Sequence, residues 1–284
     1  MVVAPAVSAV ARGVEDVEEA AAVRSNKGKA VRLCLAPGLV AGLVVGAVLV
    51  GVGLPVPVGA TALLLVAAGL AVWLWLRAPG AILRAVGARP CQEWEHPRLH
   101  NLVDGLCATM GLPRPTICIV DGSAPNAVAV GRDPASASLV VTSGLDAELT
   151  LVELEGVLAH ELVHIKRHDT VLAGAAVVTS VLGATIAGSA WGTARVHRLM
   201  GVGGQFDADR RAARVVRYPP GIGSALEVMA GQAGVHPVWA GRSRTARLTR
   251  WLWIDPTAAA AGAGEAVEGN LDDTRVRAAA QSLY

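Results

Sequence analysis

Hydrophobic and polar positions divide this chain into a polar start, two uninterrupted apolar runs and a periodic remainder. Two runs, Leu33 to Val52 and Val58 to Leu76, contain no charged residue, and each approaches the ~20 residues a helix needs to cross a bilayer. Gly53-Leu54-Pro55-Val56-Pro57 separates them, and so short a linker with two prolines predicts a tight helical hairpin whose ends return to one side. Residues 1–32 before it are polar and Ala-rich and are expected to be a flexible N-terminus.

After the hairpin the pattern becomes that of a folded domain, expected over 77–256. Leu99, Leu102, Val103, Leu106 and Met110 recur at helical spacing between Pro97 and Leu112, with Gly111 and Pro113 as stop signals. Short β-prone segments follow at Thr116 to Val120, Ala127 to Val130 and Ser138 to Thr142, the last two separated by Gly131-Arg132-Asp133-Pro134. They predict a small mixed or antiparallel sheet. Thr150 and Glu153 then form a capping-box pattern ahead of Leu154, Val157, Leu158, Leu162 and Ile165, which predicts a helix of about 18 residues. The expected fold class is α+β, predominantly helical, with a transmembrane hairpin at its N-terminal end.

Composition agrees with an anchored domain: 53% of residues are hydrophobic, 17% are charged, and the mean hydropathy is +0.47. A net charge of only +2 gives no broad basic surface for nucleic acid. Arg24, Lys27, Lys29 and Arg32 precede the first apolar run, and Arg77, Arg84 and Arg89 follow the second. By the positive-inside rule both flanks are cytoplasmic, as is the domain joined to them, in a multi-pass cell-membrane protein. The first run starts too late, behind acidic residues, for a cleavable signal peptide. Cys34, Cys91, Cys107 and Cys118 form no C-x-x-C pair and are expected to be reduced packing residues.

The chemistry lies in His160-Glu161-Leu162-Val163-His164. Residues four apart share a helix face, so both imidazoles can reach one zinc ion at about 2.1 Å. Glu161, rotated by roughly 100°, sits beside the metal as a general base. His168 is too far along the same helix, about 12 Å from His160, to share that ion. It is expected to support the site, to gate it or to lie at the surface. One of the strands between Asn126 and Thr142 is the candidate edge for an extended peptide, with Asn126, Ala127 and Val128 as substrate-binding residues.

Pro125-Asn126-Ala127-Val128-Ala129-Val130-Gly131-Arg132, then Val141-Thr142-Ser143-Gly144-Leu145, then Leu154 through His164 resemble the HtpX-like and CAAX-prenyl-endopeptidase family of membrane zinc metalloproteases. The resemblance covers about residues 95–230. It implies a gluzincin fold, one Zn2+ per chain, and membrane-associated or misfolded polypeptides as substrates. It also implies a later helix of the form E-[FY]-x-A-D, whose glutamate binds zinc and whose aspartate supports the site. Here that helix reads Gln205-Phe206-Asp207-Ala208-Asp209. An amide oxygen is neutral and a weaker zinc ligand than a carboxylate. Gln205 is the expected third ligand in place, Asp209 an alternative ligand or support one turn on, and Glu227 a further candidate. Asp207 faces elsewhere and is expected at the surface. A rival expectation is a non-catalytic membrane protein that binds or regulates and has lost the carboxylate ligand.

Between the histidines and Gln205 lies a third apolar stretch, Val171 to Trp191. A single crossing would put the two halves of the site on opposite sides of the membrane, so a core or membrane-apposed helix or a re-entrant hairpin is expected. Towards the end, His236-Pro237 and Arg242, Arg244, Arg247 and Arg250 lie beside Trp239, Trp251 and Trp253. This group suits either a membrane surface or a solvated helix with aromatic packing. Residues 257–284 read as a flexible linker, centred on 257–264, and a closing helix that includes Asp273-Thr274-Arg275-Val276-Arg277.

Overall fold

A computed structural model of the protein describes residues 4–200, 202–216, 218, 220–232, 243–256 and 276–280. The chain starts with α1 (Ala4–Gly51), turns through Gly53 at φ 95°, and returns as α2 (Val56–Ala85). Gly38, Gly42 and Gly46, four apart on α1, bring the two backbones together. A Cβ at Gly38 would stand 2.5 Å from the Ala67 carbonyl oxygen, and one at Gly46 2.7 Å from that of Gly59. Outward-facing Leu39, Val40, Leu43, Leu64, Leu65 and Val72 are exposed, an apolar girdle that suits lipid rather than water. Both helices are long and apolar enough to cross a membrane.

Helix α1 starts well before the first apolar run. Where a flexible stretch over 1–32 was the expectation, residues 4–32 are helical. Ala, Val and Glu dominate 14–23 without a proline or glycine after Gly13, so propensity favours the helix. Contacts with the domain then hold it: Glu19 pairs with Lys166 at 3.3 Å and Asn26 donates to Asp169 at 2.6 Å.

Beyond α2 come β1 (Arg89–Pro90), α3 (Pro97–Met110), β2 (Thr116–Val120), β3 (Ala127–Val130), β4 (Ser138–Thr142) and α4 (Ser143–Glu148). The three longer strands occupy the expected residues, and α3 ends on left-handed Gly111 at φ 65°. Strand order is β1-β2-β4-β3, with β2 and β4 parallel and the outer pairs antiparallel. Strand β3 is therefore an edge and β4 is interior. Side chains alternate across the sheet. Ile117, Ile119, Ala127, Ala129, Leu139 and Val141 join one core, and Cys118, Val120, Val128, Val130 and Val140 another.

Helix α5 (Leu151–Lys166) fills the first core. Its capping box is complete: Thr150 accepts from the Glu153 N–H, and Glu153 Oε2 accepts from the Thr150 N–H at 2.8 Å. Helix α6 (Asp169–Ala187) packs against α1 and α2 through Val171, Ala175 and Val178. Although it is apolar enough to cross a membrane, 67% of its apolar window is buried within the protein. Gly188, at φ 88°, turns the chain into α7 (Ser189–Met200), which folds back on α6 as a helical hairpin. Two helices, α8 (Val202–Val216) and α9 (Pro220–Gln232), close over α5. Helix α10 (Arg244–Thr249) leads into a 3-10 turn at Arg250–Leu252.

In the Arg and Trp group, aromatic packing prevails: Trp253 is fully buried in the second core, and Trp251 lies 4.2 Å from the His197 ring, between centroids. His236, Pro237, Trp239, Arg242, the 257–264 linker and 273–275 lie outside the described residues. The four cysteines are free and buried.

Candidate metal centre

Helix α5 presents His160, Glu161 and His164 on the side facing β3 and α8, because its remaining faces are committed to Leu154, Val157, Leu158, Leu162 and Ile165 of the core. The Nε2 atoms of His160 and His164 stand 3.1 Å apart, and Gln205 Oε1 is 2.8 Å from His160 Nε2. Each ring has a carboxylate at its other nitrogen: Asp209 Oδ1 at 2.7 Å from His160 Nδ1, and Asp169 Oδ2 at 2.8 Å from His164 Nδ1. A carboxylate there favours a proton on Nδ1 and leaves Nε2 as a bare lone pair. Two lone pairs and an amide oxygen at these distances repel one another unless a positive centre lies between them. Donors around a tetrahedral zinc would stand about 3.4 Å apart, for bonds of about 2.1 Å, so a small outward spreading of the three donors separates this arrangement from a ligand set. The residues fit zinc in donor type and in convergence.

Helix α8 grips His160 from both sides. Gln205 reaches Nε2 and Asp209, one turn later, reaches Nδ1. Asp209 is fully buried and also accepts from Arg277 Nε at 2.7 Å and Nη2 at 2.8 Å. Its position is thus that of a support behind the ring, not beside Gln205. Among the described residues, no cluster of three or more His, Cys, Asp or Glu side chains is arranged to hold a metal ion, and Glu227 is exposed on α9. Asp207 pairs with Arg167, Arg210 and Arg211. His168 caps α6 in a left-handed conformation, φ 56°, and is buried at the α5–α6 junction.

Electrostatics distinguish the two histidines. Burial disfavours the charged form of both; at His160 it prevails over Asp209 and lowers the pKa, whereas at His164 the Asp169 carboxylate, together with Glu161 and Gln205, outweighs it and raises the pKa. Burial pushes up Asp209 too, but the Arg277 guanidinium and His160 overcome it and hold that carboxyl well below the usual range.

Glu161 bridges helix and sheet. Its Oε2 accepts from the Ala129 N–H at 2.6 Å, while Oε1 is buried without a hydrogen-bond partner among the described residues. Glu161, His164, Gln205 and Ala129 line a cleft of about 180 Å³, walled by Asn26 of α1 and Trp251. The residues expected to bind substrate are differently engaged. Asn126 is buried and exchanges hydrogen bonds with the Asp255 backbone, the Ala127 carbonyl accepts from the Ile254 N–H at 3.0 Å, and Val128 faces the second core. Ala129 is the strand residue that reaches the cleft. Sequence reasoning missed Ala129, Asp169 and Asn26. A signal existed only for Asp169, an acidic residue one helix boundary beyond His164.

Similar proteins carry the same region. Residues align at 38% identity over 151 positions with a "Protease HtpX homolog" of Gemmatimonas aurantiaca, covering 53% of this chain and 52% of that protein. A "Protease HtpX homolog" of Acidiphilium cryptum is 42% identical over 130 positions, 46% of this chain and 42% of its own. A third, of Salinibacter ruber, is 34% identical over 185 positions, 55% and 64% respectively. The chain thus spans between about two fifths and just under two thirds of the length of these relatives. With the profile of peptidase family M48 matching residues 93–235, half of the chain and the whole of the paired-histidine site, this protein belongs to peptidase family M48.

Proposed function

We propose that the protein is a membrane-anchored, zinc-dependent endopeptidase acting on membrane-associated or misfolded polypeptides at the cytoplasmic face. The observation that carries this reading is the convergence of His160 Nε2, His164 Nε2 and Gln205 Oε1 beside a buried glutamate oxygen. These three side chains would hold the ion. When bound, zinc supplies a Lewis acid that polarises the scissile carbonyl and acidifies the attacking water. Glu161 Oε1 takes the proton from that water and delivers it to the leaving amine. The Ala129 N–H fixes the other carboxylate oxygen, so the base is aimed before substrate arrives. With the Ala129 N–H held by Glu161 and the Ala127 carbonyl by the Ile254 N–H, edge strand β3 would meet the peptide from the Ala129 carbonyl onward.

Gln205 favours a second reading, a membrane protein that keeps the fold and has a binding or regulatory role without cleaving. Zinc stoichiometry of the purified protein, followed by casein cleavage by wild type, Glu161→Gln and Gln205→Glu, separates the two. The endopeptidase reading expects one zinc per chain and cleavage that Glu161→Gln abolishes. Absence of both zinc and cleavage in wild type, with both restored in Gln205→Glu, overturns it.

A further inference from the structure

We infer that Asn26, on the part of α1 that precedes its apolar run, is a positioning residue for the metal centre, so that the helix entering the membrane also sets how His164 is held. This rests on the metal reading above.

Asn26 is buried while its neighbours Arg24, Ser25, Lys27 and Lys29 are exposed. Its side-chain amide donates to Asp169 Oδ1 at 2.6 Å and to the Arg167 carbonyl at 3.2 Å, which uses both amide protons. The other oxygen of Asp169 is the one facing His164 Nδ1, at 2.8 Å. Asn26 therefore fixes the carboxylate by the oxygen that the imidazole leaves over. It does so at the junction where α5 ends, two residues after His164, and α6 begins. Carboxylates behind metal-bound imidazoles set ring orientation and basicity, and one free to rotate sets them less well. Seven residues, about 10 Å of helix, separate Asn26 from Leu33 at the start of the apolar run.

The same helix makes contacts that do not lead to the metal. Glu19 pairs with Lys166 at 3.3 Å and touches neither Asp169 nor His164. Its loss loosens the tether without touching the relay, so it separates positioning from attachment.

The test is the zinc dissociation constant of the full-length, detergent-solubilised protein, measured by competition with a chromogenic chelator. Asn26→Ala is expected to weaken zinc binding about tenfold, and Glu19→Ala to leave it unchanged. In an Asp169→Ala background, adding Asn26→Ala is expected to cost nothing more, because the two act in series. Asp169→Leu, which likewise offers Asn26 no oxygen, serves as the background if the alanine variant does not fold. Unchanged zinc affinity in Asn26→Ala, an equal loss in Glu19→Ala, or full additivity with the Asp169 variant each overturns the inference alone. A wild type that binds no zinc overturns the metal reading along with it.

Discussion

The carboxylate of Glu161 is divided between two tasks: Oε2 accepts the Ala129 N–H of the edge strand at 2.6 Å, and Oε1 is buried without a hydrogen-bond partner among the described residues. The side chain that would move the proton is thereby locked to the strand that would hold the peptide.

Glu161→Gln tests that division cleanly. The amide oxygen can still accept from Ala129, so fold and zinc binding are retained, while the group that takes up a proton is gone. Cleavage of casein is expected to fall by about 10²–10⁴ with the zinc dissociation constant unchanged. Glu161→Asp, one methylene shorter, cannot span from helix to strand in the same way and is expected to lose activity despite keeping its charge. An active Glu161→Gln protein would remove the glutamate from the proposed reaction.

Ala129 places a methyl group between β3 and α5, on the wall of the cleft. Ala129→Leu adds volume where there is about 180 Å³ to enter. It is expected to raise KM for peptide substrates more than it lowers kcat, at a stability cost of about 1–3 kcal/mol. Steady-state kinetics on a fluorogenic peptide, beside a urea melt, check both. Equal KM in variant and wild type would move the peptide away from this strand.

Gly42 lets α1 and α2 touch, since a Cβ there would strike the Leu63 carbonyl oxygen, whereas a Cβ at Gly69 meets nothing within 4 Å. Gly42→Ala is therefore expected to lower the melting temperature in detergent. Gly69→Ala is expected to leave it unchanged or to raise it, alanine being the better helix former by up to ~1 kcal/mol. Differential scanning fluorimetry of the pair gives the comparison, and equal shifts would mean that the hairpin is not close-packed at Gly42.

Local signals carried much of this structure. The strands at Thr116, Ala127 and Ser138 were legible because one alternation serves two cores, and the start of α5 because Thr150 and Glu153 satisfy each other within a single turn. His160, Glu161 and His164 were legible for the same reason, being one helical turn of sequence. Long-range partners were not. Asn26 meets Asp169 across 143 positions, and Arg277 meets Asp209 across 68, with no periodicity or spacing to announce either. The helical 4–32 segment was hidden differently: its polarity reads as solvated chain, and long-range contacts such as those with Lys166 and Asp169 give it a surface to lie on. On the edge strand, Asn126 drew attention by its side chain, while the Ala129 backbone, which any residue type could have supplied, is what meets Glu161.

Arg277 couples the last described helix to the site, and its effect should depend on pH. It is almost fully buried, donates twice to Asp209, and donates through Nη1 to the Ile254 carbonyl at 2.7 Å. Although burial alone would raise the Asp209 pKa, the guanidinium and His160 hold it well below the usual carboxylate value. A carboxyl whose folded pKa is depressed contributes stability that is complete above its unfolded pKa, about 3.9, and is lost only as pH falls through the folded value. In wild type this contribution is therefore level between about pH 4 and 7. Arg277→Met reverses the sign: the carboxylate, now buried without its guanidinium, has a raised pKa, and protonation relieves it as pH falls. Metal-free Arg277→Met is expected to be about 3–5 kcal/mol less stable than wild type at pH 7, with the deficit shrinking towards pH 4.5. Urea midpoints from tryptophan fluorescence at the two pH values measure this difference. A deficit that stays constant would show that Arg277 acts through the Ile254 carbonyl and packing alone, and not through the charge of Asp209.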